Sequence, residues 1–326
     1  MSVRQSVHRS EHGSEDALQQ PSVLVPYPGP DPSPKTQDIF VYLRPETNGV
    51  VGESAILKVM QQCPDYKVDI HLVYLANIPG GFIVQNHVVE HHYACKLYFA
   101  THGKAAFTPG MRREFTAYFG LPFEEAPVVG SFEALRLLGL RPNELFEQWV
   151  GESDFFTTAG QTVKRIGEYF VVNYDMPALL HKNNRDTDVA AMVFRTTRDY
   201  AYFDRLLREM RSALIDAGIL SPNHPMGRAM HYSKSPFEQV LDGLGYLYTA
   251  GGESVDPTQF SFCAYLAQQG IDIQSVMGAL SHPVARFRDT DGTIVEDELV
   301  SFTYHDAYPE AADKLRSMIS QYILLE

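Results

Sequence analysis

The sequence predicts an α/β fold, with α+β as the alternative, in which a mixed sheet of five to seven strands is flanked by many helices. Segments rich in β-branched and aromatic residues alternate with amphipathic segments along the chain. The opening order of strand, helix, strand and helix is typical of a βαβ unit with parallel strands. Of the 326 residues, 44% are hydrophobic and 21% are charged, which is the composition of an ordinary globular protein.

Residues 1–36 are predicted to form a disordered N-terminal tail. They are polar and then proline-rich, and the four prolines from Pro28 to Pro34 remove backbone donors and disfavour helix. Such a tail either recruits a protein partner or is simply solvated. Residues 37–326 are then a single globular body, with a possible subdomain seam within residues 121–160.

The first half of the body is predicted from its helix-ending residues and apolar patterns. A helix over residues 53–62 ends at Pro64, and a long helix over residues 82–102 ends at Gly103, a natural C-cap. Thr108 and Pro109 start a further helix as N-cap and first-turn proline. β-rich runs at residues 38–44 and 67–76 supply the first two strands.

The second half of the globular body is predicted from the same kinds of sequence pattern. Strands are predicted at residues 168–175 and 189–196, followed by a helix over residues 200–217 with a regular apolar stripe. Ser235 and Glu238 form a capping box at the start of the next helix. A hairpin around residues 289–292 and a closing helix from Pro309 complete the prediction.

Charge and cysteine usage restrict the class of protein. The formal net charge of −13 argues against nucleic acid and anionic membrane surfaces as partners, because phosphate contacts need concentrated Lys and Arg. The three cysteines stand far apart and predict reduced thiols in a cytosolic protein. No apolar run approaches the length of a membrane span, and residues 1–20 do not resemble a secretory signal. The cytoplasm is therefore the expected location.

A first candidate site is the segment His87–Val88–Val89–Glu90–His91 on the predicted long helix. Two histidines four residues apart share a helical face and can hold zinc, while Glu90 acts as base. The order HxxEH is that of the inverted zinc-peptidase motif, and Glu168, 77 residues after His91, resembles the third-ligand spacing of insulinase-like peptidases. The resemblance implies a zinc-dependent hydrolase.

The same helix also has an interpretation without metal. At 100° per residue, His91 falls within the apolar stripe made by Val84, Val88, Cys95 and Phe99, which favours a packed core histidine.

A second candidate site is the long connection of residues 221–234, which leads into the helix capped by Ser235. It brings Arg228, His231 and Lys234 to a helix N-terminus, where backbone N–H groups and the helix dipole favour an anion. Lys182 and Arg185, on another loop, are candidates for the same pocket. His231 is the expected general acid or base, since imidazole titrates near neutrality.

Three hypotheses of function follow from these patterns. The first is a protein that binds or acts on a small anionic metabolite, phosphorylated or carboxylate, through Arg228, Lys234, Ser235, Lys182 and Arg185. The second is a zinc-dependent hydrolase with His87, His91 and Glu90. The third is a non-catalytic scaffold that uses its tail and its acidic surface to bind other proteins.

Overall fold

The computed structural model describes residues 19–223, 226–289 and 291–322. It is an α/β structure in which helices surround three sheets, as the sequence predicts. The strands are β1 Ser22–Val25, β2 Gln37–Leu43, β3 Ile70–Ile78, β4 Val128–Gly130, β5 Phe155–Thr158, β6 Gln161–Ile166, β7 Tyr169–Val172, β8 Val189–Thr196, β9 Met230–Tyr232, β10 Val284–Arg288, β11 Ile294–Glu298 and β12 Met318–Gln321.

The helices are α1 Val50–Gln62, α2 Gly80–Gln85, α3 Val88–His92, α4 Ala94–His102, α5 Pro109–Phe119, α6 Ser131–Leu138, α7 Pro142–Glu147, α8 Met176–Lys182, α9 Tyr200–Asp216, α10 Met226–Ala229, α11 Pro236–Tyr246, α12 Ser261–Gln268, α13 Ile273–Ser281, α14 Leu299–Phe302 and α15 Tyr308–Arg316. None of these described helices combines the length and the apolar character needed to cross a bilayer.

The largest sheet has five strands in the order β1-β3-β8-β2-β9, and every neighbouring pair is antiparallel. Strands β2 and β3 point the same way, as a βαβ unit requires, but β8 lies between them and pairs with both. The predicted parallel direction of these two strands is therefore confirmed, but the strands are not neighbours in the sheet. The strand that separates them comes more than a hundred residues later in the chain.

Both faces of this sheet are covered, because successive residues of a strand point to opposite sides. Ile39, Val41 and Leu43 of β2 pack toward α1 and α9, whereas Phe40 and Tyr42 pack toward the side that holds α11 and α12. All seven residues of β2 are buried. Arg44, the first residue after β2, lines the cleft described below.

Two smaller sheets complete the fold. The four-stranded sheet β4-β7-β6-β5 is mixed, with β4 parallel to β7, and has its own aromatic core against α4 and α5. The sheet β11-β10-β12 contains the predicted hairpin around residues 289–292 and is antiparallel throughout.

The N-terminal segment of the described chain belongs to the folded body. Strand β1 pairs with β3, and the Tyr27 hydroxyl donates to the buried Asp38 carboxylate at 2.8 Å. Arg195 forms an ion pair with Asp38 and donates to the Gly29 carbonyl at 2.8 Å. The predicted tail boundary at residue 36 is therefore wrong for residues 19–36, since strand pairing and tertiary hydrogen bonds order this proline-rich segment. The rest of the predicted tail, residues 1–18, lies outside the described residues.

The predicted long helix over residues 82–102 is also wrong. It is divided into α2, α3 and α4, and the first break lies at Asn86 and His87, where His87 adopts a left-handed conformation with φ of 50°. Such a residue cannot continue a right-handed helix. The break changes which side chains face inward, so that His92 is buried and His91 is exposed. The interpretation of His91 as a packed core residue fails for this reason.

Candidate functional site

A cleft of about 530 Å³ lies where the end of β2, helices α4 and α8, strand β9 and the start of α11 meet. Charged and polar side chains from all of these elements line it, together with an apolar wall. The main lining residues are Arg44, Glu46, Tyr93, Lys96, Phe146, Tyr174, Asp175, Met176, Leu179, Lys182, Met230, His231, Lys234 and Glu238.

Four cationic side chains reach this cleft from separate parts of the chain. Lys182, at the end of α8, forms an ion pair with Glu46. Among the described residues, no carboxylate oxygen forms a direct ion pair with Arg44, Lys96 or Lys234. Three positive groups therefore converge on one concavity without a direct acidic partner.

Arg44 directly follows β2, and its guanidinium is held by aromatic neighbours. Its Nη2 donates to the Tyr93 hydroxyl at 2.7 Å, and the group lies over the rings of Tyr42 and Tyr93. Its buried Nε has no hydrogen-bond partner in the described part of the molecule. A guanidinium fixed in this way keeps donors available for a planar anion.

Lys96, on α4, keeps its charge in spite of burial. Burial disfavours the ammonium, but Asp175 and other acidic neighbours outweigh it and raise the pKa of Lys96 above its ordinary range. The Asp175 Oδ1 atom is buried and has no hydrogen-bond partner within the described residues. The cleft therefore contains both a charged ammonium and an acceptor.

Behind the cleft lies a buried cluster of His92, His231 and Asp242. The His231 Nε2 atom is 3.1 Å from Asp242 Oδ1, and the His92 Nδ1 atom is 3.4 Å from the same oxygen. The Ser233 hydroxyl donates to Asp242 Oδ2 at 2.6 Å. The His231 ring stacks on Tyr42, with 4.4 Å between ring centroids. His92, His231 and Asp242 come from α3, β9 and α11, respectively, and all three are buried.

Burial determines the protonation of this cluster. It lowers the pKa of His231 well below its ordinary value and that of His92 to about 3, so both rings are neutral at pH 7. Burial also raises the pKa of Asp242 to about 6. Desolvation thus works against the prediction that His231 titrates near neutrality, because it penalises the imidazolium form.

The structure brings together several residues of the predicted anion site. His231 and Lys234 line the cleft, and so does Lys182 from the other predicted loop. Arg185 is exposed and does not line the cleft. The side chain of Arg228 lies outside the described part of the structure.

Ser235 is buried and has a capping role. Its hydroxyl accepts from the Glu238 backbone N–H at 3.1 Å, and a Glu238 carboxylate oxygen accepts from the Lys234 backbone N–H at 2.5 Å. The protein's own side chains thus occupy backbone donors at the start of α11, where the sequence suggested an anion.

The HxxEH residues are not gathered into a metal cluster. The side chains of His87 and Glu90 are 65% and 42% exposed, and His87 Nδ1 lies 3.7 Å from Glu90 Oε1. Within the described residues, the one group of three potential ligands close enough to share a metal ion is His92, His231 and Asp242. The zinc site at His87, Glu90 and His91 stays a prediction without support from this geometry.

Sequence reasoning missed Arg44, Lys96, His92 and Asp242. The sequence pattern placed Arg44 at the end of a predicted strand and Lys96 at a polar position of the predicted long helix. One signal for Asp242 was available, since Glu238 and Asp242 are four residues apart and share a face of α11. Compared with known proteins, the chain matches no family model, no curated protein and no solved structure.

Proposed function

We propose that this protein binds a small organic anion, with a phosphate or carboxylate head group, in the cleft between β2, α4, α8 and β9. The observation that carries the proposal is the convergence of Arg44, Lys96 and Lys234 without direct acidic partners. Cations that share one concavity without direct ion pairs are stabilised by an anion that pairs with them. A bound anion would supply that pairing.

The cleft offers two kinds of cationic group that can recognise an anion: a planar guanidinium and compact ammonium groups. Arg44 offers a planar set of donors suited to a carboxylate or phosphate edge, whereas Lys96 and Lys234 offer compact charges. Hydrogen bonds to charged groups contribute about 1.5–3 kcal/mol each. Glu238 and Asp175 on the same lining supply acceptors for hydroxyl or amine groups of the ligand.

The apolar part of the lining limits the rest of the ligand. Tyr93, Tyr174, Leu179 and Met230 form a wall beside the cations. A volume of about 530 Å³ is in the range of pockets for small metabolites rather than polymers. We therefore expect one anionic head group on a compact, partly apolar body.

His231 contributes a neutral imidazole to this cleft, not a charge. Its Nδ1 lies 3.5 Å from the Tyr93 hydroxyl, which links it to the Arg44 guanidinium. The proposal therefore assigns charge recognition to the cations and a positioning role to this tyrosine. We also assign the protein to the cytoplasm, since its three cysteines are free thiols.

Calorimetric titration with inorganic phosphate and with a panel of phosphorylated and carboxylate metabolites tests the proposal. We expect Arg44→Met and Lys96→Met each to weaken binding of the best ligand at least tenfold, equivalent to about 1.4 kcal/mol. Arg185→Met is the matched control, because this exposed cation does not line the cleft. Affinity should also fall as salt is added.

Two results would count against the proposal. One is a panel in which no anion binds or raises the melting temperature of the wild-type protein. The other is a ligand whose affinity falls in Arg185→Met but not in Arg44→Met or Lys96→Met, which would move the site to the exposed loop.

A further inference from the structure

The buried cluster behind the cleft has the composition of a metal centre. We propose that His92 Nδ1, His231 Nε2 and Asp242 Oδ1 bind a divalent transition metal of the zinc class. The three residues come from α3, β9 and α11, so only the folded chain assembles them. This inference does not rest on the proposed anion binding and concerns different atoms.

The distances fit a shared ion. Zinc bonds of about 2.0–2.1 Å at tetrahedral angles separate neighbouring ligand atoms by about 3.3 Å. Asp242 Oδ1 lies 3.1 Å from His231 Nε2 and 3.4 Å from His92 Nδ1. Each of the three residues has one potential ligand atom within 4.8 Å of those of the other two.

Two of these atoms have unmet bonding capacity. His92 Nδ1 and Asp242 Oδ1 are buried, and neither has a hydrogen-bond partner in the described part of the molecule. They nevertheless face each other at 3.4 Å. Buried polar atoms are nearly always satisfied, so a facing pair of this kind calls for a bridging atom. A metal ion between them would satisfy both.

Neighbouring side chains orient the proposed ligands. In known metal centres, hydrogen-bond partners outside the coordination sphere do the same. The Ser233 hydroxyl donates to Asp242 Oδ2 at 2.6 Å and so fixes the carboxylate, whose Oδ1 and Oδ2 atoms lie 3.1 Å and 3.2 Å from His231 Nε2. The Tyr93 hydroxyl lies 3.5 Å from His231 Nδ1, the ring nitrogen that the ion does not use.

The ligand set also indicates the class of metal and of chemistry. Two imidazoles and one carboxylate suit zinc and its neighbours better than calcium or magnesium, which prefer oxygen ligands. Three protein ligands leave a coordination position for water or substrate, as in catalytic zinc sites. His231 lines the anion cleft, and His92 lines a neighbouring cleft of about 340 Å³ that shares Tyr93, Lys96 and Glu238 with it.

The test uses the full chain, freed of metal by a chelator and titrated with Zn²⁺ and with Co²⁺. We expect one ion per chain, with a Co²⁺ absorption spectrum that lacks sulfur-to-metal charge transfer. Asp242→Asn and His92→Gln should weaken binding at least 100-fold. The double variant His87→Ala/His91→Ala is the matched control and should bind like wild type. Loss of binding in that control alone would overturn the proposal in favour of the HxxEH segment.

Buried substitutions can disturb folding, so circular dichroism is recorded for each variant without metal. A measurement that needs no variant is X-ray absorption at the zinc edge of the loaded wild-type protein. Two imidazoles and oxygen in the first coordination sphere support the proposal. A sulfur ligand, a single imidazole or the absence of stoichiometric binding would overturn it.

Discussion

Replacing Glu298 by Gln should stabilise the protein at alkaline pH and leave it nearly unchanged at acidic pH. Glu298 ends β11 and caps α14, with its Oε2 accepting from the Ser301 backbone N–H at 3.2 Å and from the Ser301 hydroxyl at 3.1 Å. Only 9% of the residue is exposed. Glutamine keeps the accepting oxygen and the shape but removes the proton that titrates.

The size of the effect follows from the pKa of this carboxyl group. Burial, with a further contribution from Asp297, raises it from 4.5 to about 7. Between these two pH values the folded state holds a proton that the unfolded state has lost, so stability falls as pH rises. At 1.36 kcal/mol per pKa unit, the cost grows by about 2.5 kcal/mol between pH 5 and pH 8.

Urea unfolding of wild type and Glu298→Gln at pH 5, 6, 7 and 8, with a chelator present, measures this difference. The free energy of unfolding of the variant should exceed that of wild type by an amount that grows with pH. Glu209→Gln, on the exposed face of α9, is the matched control and should show a constant difference. A constant difference for Glu298→Gln as well would refute a protonated, buried carboxyl group.

Four further substitutions test the packing of the fold, and each is measured by urea unfolding at pH 7. Arg195→Met should cost about 3–5 kcal/mol, because it leaves the buried Asp38 carboxylate without its cation; a loss below 1 kcal/mol would show that the pair contributes little. Gly130→Ala should destabilise the protein, because the added methyl group would collide with a backbone carbonyl of α4. Gly81→Ala has open space around the added methyl group and should stabilise α2 by about 0.5–1 kcal/mol. Phe115→Ala should cost about 3–5 kcal/mol by opening a cavity in the aromatic core of the four-stranded sheet; a change near zero would contradict that packing.

Local patterns predicted most elements of this fold. The apolar stripe of α9, the capping residues of α5 and the capped start of α11 are all where the sequence suggests. The break at Asn86 and His87 was missed because it contains neither glycine nor proline. Sheet order was missed for another reason: the pairing of β2 with β8 depends on contacts between residues far apart in sequence.

The candidate site was predictable only in part. Lys182, His231 and Lys234 stood out as basic residues on loops, and the structure brings them to one cleft. Arg44 and Lys96 lie on or beside regular elements, where charged side chains usually face water. No local sequence pattern indicates that His92 and Asp242 are buried. For His92, the turn between α2 and α3 determines which histidine faces inward.

The insertion of β8 between β2 and β3 also affects how the chain is made. Val189, at the start of β8, leaves the ribosome 111 residues after Ile78, at the end of β3. At about 5–20 residues per second, β3 is complete roughly 6–22 s before β8 begins to emerge, and β2 is complete still earlier. During this time the unpaired backbone N–H and C=O groups of both strands are open to pairing with other nascent chains. Expression at low temperature or with a holding chaperone should therefore increase the yield of folded protein.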